Sequence, residues 1–127
     1  MRHDVKLVVS PFPNSPLLSR LFGVKGDKAS GVLEIDPEAR TVRISGAAID
    51  TPDRTLNFTF DDIKEVESRA LYYLTFRLHS GQEIHLRGID ALYGVLRALT
   101  AHGVADRTQP RVRDQITRHE KRRLHVS

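Results

Sequence analysis

The sequence predicts a single small, mainly β domain of the α+β kind, closed by one C-terminal helix and followed by a basic tail. Three observations carry that expectation. Apolar residues alternate with a period of two through most of residues 31–87, the period becomes helical after Gly88, and the surplus positive charge lies beyond residue 103. The length of 127 residues fits one domain, and a 39% hydrophobic content is enough to fill its core. With no cysteine in the chain, disulfides, thiolate zinc sites and cysteine nucleophiles are excluded.

In Leu33-Glu34-Ile35-Asp36 the apolar side chains share one face, and Val42 and Ile44 share a face in the next run. Pro37 to Arg40 has the length of a four-residue hairpin loop, so Ile35 pairs with Val42 and Leu33 with Ile44. Gly46 to Arg54 reads as a turn, and Leu56, Phe58 and Phe60 define the next strand. Asp61-Asp62 interrupts it, and Ile63 to Ser68 continues as a weaker strand.

A second hairpin spans Tyr72–His79 and Glu83–Arg87, with Ser80-Gly81-Gln82 as a three-residue turn. Facing partners must share a face, which places Leu78 opposite Ile84 and Phe76 opposite Leu86. The outer face then carries His79/Glu83, Arg77/His85 and Thr75/Arg87 pairs. Leu92, Val95, Leu96 and Leu99 follow at helical spacing, with Asp90 as the expected N-cap and Gly103 as the expected stop.

The two ends are less strongly patterned. Val5 to Val9 reads as a first strand, too short for a secretory apolar region or a membrane span, which leaves a soluble, cytoplasmic protein as the expectation. Three prolines between Ser10 and Pro16 end that strand; Leu17, Leu18, Leu21 and Phe22 form a turn of helix or an apolar flap. The domain is expected over 1–104 and the basic tail over 105–127, where Pro110 breaks the chain and Val112 to Leu124 reads as a short helix whose apolar positions are sparse for docking.

Charge divides the chain along the same line. Residues 1–103 hold 13 basic and 13 acidic side chains, whereas 104–127 hold seven basic against three acidic, the whole of the net +4. A basic appendage on a neutral body attracts phosphate groups of lipid or nucleic acid, and residues 107–127 are expected to be dispensable for folding; the alternative is that Val112, Ile116 and Leu124 dock on the barrel or on a neighbouring subunit.

His79, Glu83 and His85 lack a fourth metal ligand and read as cross-strand pairs. His119-Glu120 lacks the second histidine of a zinc-protease helix, and Gly23 to Lys28 lacks the Gly-Lys-Ser/Thr ending of a phosphate loop. No nucleophile, base and orienting group fall together, so no catalytic residues, no metal site and no cofactor are expected, and the chain is read as no enzyme. Tyr72 and Tyr73 are adjacent, so a regular strand exposes one of them, as a protein interface would.

The pattern resembles the pleckstrin-homology (PH) superfold, most closely its bacterial PH-like and GRAM-like branches. The residues that carry the likeness are Gly31 to Ile35 with Val42 to Ile44, Phe58 to Val66 with its Asp-Ile-x-x-Val step, and the hairpin from Leu74 to Leu86. The resemblance spans roughly residues 31–103 and implies a seven-stranded bent antiparallel barrel capped at one end by a helix. It also implies a non-catalytic binding or scaffolding module, whose fold does not determine its ligand.

Three functions follow as expectations. The first is protein–protein contact or self-association as a homo-oligomer. The second is attachment to anionic lipid at the membrane periphery through the basic loop 20–28 and the tail, and the third is non-specific nucleic-acid binding by the tail. The anion-binding candidates are Arg20, Lys25 and Lys28 in the loop and Arg118, Lys121, Arg122 and Arg123 in the tail.

Overall fold

A computed structural model describes residues 2–10, 30–46 and 52–125, with side chains described for 31–46 and 52–124. The apolar flap expected at Leu17 to Phe22 lies outside the described residues. The alternating segments form seven strands: β1 (Arg2–Ser10), β2 (Ser30–Asp36), β3 (Thr41–Gly46), β4 (Thr55–Thr59), β5 (Ile63–Glu67), β6 (Tyr73–Leu78) and β7 (Glu83–Arg87). They make one antiparallel sheet in the order β4-β3-β2-β1-β7-β6-β5. No ladder joins β4 to β5 among the described residues, so the sheet is open at those two strands.

The chain passes from one edge to the other through a 3₁₀ turn, Phe60–Asp62. Asp62 accepts from the Thr59 N–H at 2.8 Å and from the Thr59 hydroxyl at 3.1 Å, the acceptor a helix start requires. The two acidic residues expected to interrupt the strand therefore make the corner between the sheet edges.

The first hairpin has the expected register, with Ile35 opposite Val42 and Leu33 opposite Ile44. Asp36 closes its loop by accepting from the N–H groups of Glu38 and Ala39 at 3.1 and 3.2 Å. The second hairpin is shifted by two residues from the expected pairing. Phe76 faces Ile84, Leu74 faces Leu86 and Arg77 faces Glu83. Leu78 donates to the Gln82 carbonyl at 2.9 Å, so the three-residue loop is His79-Ser80-Gly81. Such a loop needs a left-handed residue in its last position, and Gly81 fills it with a φ of 95°. Moving the loop by one residue moves the register by two, which leaves every side chain on its expected face but changes all the partners.

The helical period after Gly88 becomes α1 (Leu92–Thr100), whose Leu92, Val95, Leu96 and Leu99 are buried. Asp90 does not cap it; Ala91 stands at the N-cap without a side-chain bond. Gly103 ends the helix as expected, at φ 90°. Val104 donates to Leu99 and Gly103 to Thr100, each at 3.1 Å, which is a Schellman closure.

Beyond the one capping helix, the tail is itself helical and docks on the domain. Pro110 starts a second one, α2 (Pro110–His125), because the first helical position needs no N–H. Residues 105–107 run along β5: Val66 donates to Ala105 at 2.9 Å and Arg107 donates to Val66 at 2.8 Å. Thr108 is buried, and its hydroxyl accepts from the Ser68 N–H at 3.0 Å. Val112 and Ile116, one turn apart, are 5% and 2% exposed within the same apolar cluster as the sheet and α1. Two apolar residues are enough to dock the helix because its approach is already set by the bridge on β5. No helix among the described residues is long and apolar enough to cross a membrane.

Candidate functional site

Two charged surfaces flank the core, and their electrostatics differ. The first lies on the outer face of β5-β6-β7, where the observed register sets Arg77 among three carboxylates. Its guanidinium donates to Glu67 at 2.8 Å, to Glu65 at 2.9 Å and to Glu83 at 3.1 Å. Arg69 and Arg107 approach Glu67 and Glu65, each at 3.6 Å. Three guanidinium groups thus meet three carboxylates.

Burial disfavours the charge on Arg77, but the hydrogen bonds to Glu67, Glu83 and Glu65 outweigh it and hold the group above its ordinary value. The hydrogen bond from Arg77 keeps Glu67 below the usual carboxylate range, against the opposing pull of burial. Alongside, His85 shares a hydrogen bond with the Thr75 hydroxyl at 2.9 Å, and burial lowers the pKa of its ring. His79 sits in the turn, one strand-end away from the Glu83 and His85 it was expected to face. With the Arg77 guanidinium shared among three carboxylates, this cluster reads as a structural network.

The second surface is the outward side of α2. Arg111, Gln115, Arg118 and Arg122 recur at i, i+4, i+7 and i+11, a spacing that aligns them along one side of a helix. All four are exposed, as is Lys121 beside them. The other arginines of the segment are engaged: Arg113 with Asp106 at 3.4 Å, and Arg123 with Glu120 at 2.9 Å. Arg123, expected to bind anions, is paired with Glu120 on its own helix. Arg118, Lys121 and Arg122 stay free of ion pairs among the described residues, as does Arg111, which was not among the expected site residues. Arg20, Lys25 and Lys28 lie outside the described residues.

Tyr72 and His119 complete this surface. Tyr73 donates to the Ala70 carbonyl at 3.1 Å, closing a turn that holds Tyr72 at a φ of 74°. That conformation costs a bulky L-residue of order 1–3 kcal/mol. Both tyrosines are exposed, because β6 begins only at Tyr73 and Tyr72 belongs to the turn.

The Tyr72 ring meets the His119 ring edge-on at 5.2 Å, and His119 Nε2 is 2.9 Å from an Asp90 carboxylate oxygen. Between turn and helix lies a groove of about 390 Å³ lined by Leu71, Tyr72, Gln115, Arg118, His119 and Arg122. The helical spacing of its cations was readable in the sequence. The contribution of Leu71, Tyr72 and His119 was not, since they come together only through docking.

No family model matches this chain, and no curated protein matches it. Among solved structures it is similar to the C-terminal domain of an unknown protein from Leishmania infantum. The identity is 14% and the TM-score 0.48, over 78% of this chain and 80% of that one. Chemistry therefore rests on the site alone. Among the described residues, no group of three or more histidine or acidic side chains is placed to hold a metal ion.

Proposed function

We propose that this chain is a non-catalytic binding module of PH-like architecture that docks on an acidic partner protein through the outward face of α2. Seven antiparallel strands followed by a helix after the last hairpin support the architectural reading. One observation carries the functional reading: three aligned arginines, free of ion pairs among the described residues, run beside an exposed tyrosine. Arginine and tyrosine dominate the energetics of protein interfaces, where planar guanidinium groups meet carboxylates in two-pronged bonds. Asp114, exposed on α2 between Arg111 and Arg118 in sequence, weakens the surface as a track for a continuous row of phosphates and favours a discrete acidic segment.

The test compares three probes on the intact chain: polyglutamate, phosphatidylserine vesicles and duplex DNA. Polyglutamate is expected to bind, more weakly as salt rises, and to be lost in the triple variant Arg111→Gln/Arg118→Gln/Arg122→Gln. Binding to vesicles or DNA alone would replace this reading with the lipid or nucleic-acid one.

A further inference from the structure

We infer that the groove between the 69–72 turn and α2 is a receptor for one phosphate monoester, carried on a side chain of the partner protein. This inference rests on the protein-docking reading and makes it specific to a phosphorylated partner. Arg118 and Arg122 stand one turn apart, a rise of roughly 6 Å, so that their guanidinium groups can converge on a single group. Neither has an ion pair among the described residues. No carboxylate lines the groove; Asp90, the acid beside it, is already engaged with His119 Nε2 at 2.9 Å.

Charge and donor count select the ligand. Two free guanidinium groups overmatch the single charge of a carboxylate, whereas a phosphate monoester carries about −1.5 to −2 and three acceptor oxygens. Gln115 and Tyr72, residues of the same lining, carry neutral donor groups. The volume of about 390 Å³ exceeds what a bare carboxylate fills and admits a phosphate with the side chain that bears it. Tyr72 forms the wall opposite the helix, and its left-handed backbone with the edge-on contact to His119 keeps that wall in place. Strain maintained at an exposed position has the character of a preformed site.

Fluorescence anisotropy with three peptides identical but for one residue tests the inference. A central phosphoserine, serine or glutamate is set among glutamates, and vesicles of phosphatidic acid serve as a second source of phosphate monoester. The phosphoserine peptide is expected to bind at least about tenfold more tightly than the glutamate peptide. Arg118→Gln/Arg122→Gln is expected to abolish that ratio, while Arg111→Gln weakens all peptides alike and preserves it. Circular dichroism confirms that each variant folds, as expected for exposed positions.

Equal affinity for the phosphoserine and glutamate peptides would overturn the phosphate site and leave the acidic-partner reading standing. Binding to none of the peptides would overturn both. Preference for phosphatidic acid vesicles over the phosphoserine peptide would overturn the partner and assign the groove to a lipid headgroup.

Discussion

Val66 and Asp106 lie side by side in a parallel bridge, with the Val66 N–H donating to Ala105 and its carbonyl accepting from Arg107. The edge of β5 is covered by the segment that leads into α2, so the basic region is anchored before its helix begins. An uncovered edge strand invites pairing with another chain, and this contact closes that edge.

Deleting residues 107–127 is therefore expected to destabilise the domain. The loss includes the Arg107 bond to β5 and the burial of Val112 and Ile116, each worth about 1.5–3 kcal/mol. A fall in melting temperature of about 10 °C or more should appear in circular dichroism. An unchanged melting temperature would show that α2 is an appendage.

The destabilisation caused by Arg77→Met, measured against the parent, should be larger at neutral pH than at acid pH. Removing the guanidinium leaves Glu65, Glu67 and Glu83 facing one another without the partner they share. Stripping one member from such a network costs about 3 kcal/mol at pH 7. Protonation of the carboxylates on acidification should recover part of that loss relative to the parent, as measured by urea denaturation across pH.

His85 gives the fold a pH dependence of predictable sign. Burial lowers its pKa from 6.5, aided by the charges of Arg69 and Arg77 and opposed by Glu83. The unfolded chain thus takes up the proton more readily, and stability falls as the pH drops from 6.5 toward the lowered folded value. His85→Gln retains a partner for Thr75 and should flatten that segment of the stability profile. An identical slope in parent and variant would contradict the assignment.

Gly103→Ala isolates backbone strain. A Cβ built at this position meets nothing within 4 Å, so the substitution adds no clash, and the cost arises from the φ of 90°. The expected destabilisation is about 1 kcal/mol, and Gly103→Asn should recover part of it, because asparagine tolerates the left-handed conformation. Thermal unfolding of the pair checks the difference.

Register shows where local reading succeeds. The loop Pro37 to Arg40 leaves one way to place four apolar residues on one face, and the pairs Ile35/Val42 and Leu33/Ile44 follow from it. The second hairpin has two solutions that satisfy the same face rule. Gly81 chooses between them by its left-handed φ, and the choice makes the Arg77–Glu83 pair. The position of the glycine in the loop carried that information, but alternation alone did not.

By itself, the sequence determined the strands, the stripe of α1, its stop at Gly103 and the concentration of positive charge after residue 103. These are properties of neighbouring residues: side-chain period, turn conformation and charge count. Tertiary structure alone decided that the basic segment docks, which of its cations have no ion pair among the described residues and that Tyr72 and His119 wall a groove beside Arg118 and Arg122. Val112 and Ile116 form too small a stripe to declare a buried helix, and the segment that leads into it is held by the Val66–Asp106 bridge, 40 residues apart in sequence. Contacts over that separation are set by the packing of the whole chain, and no local pattern encodes them.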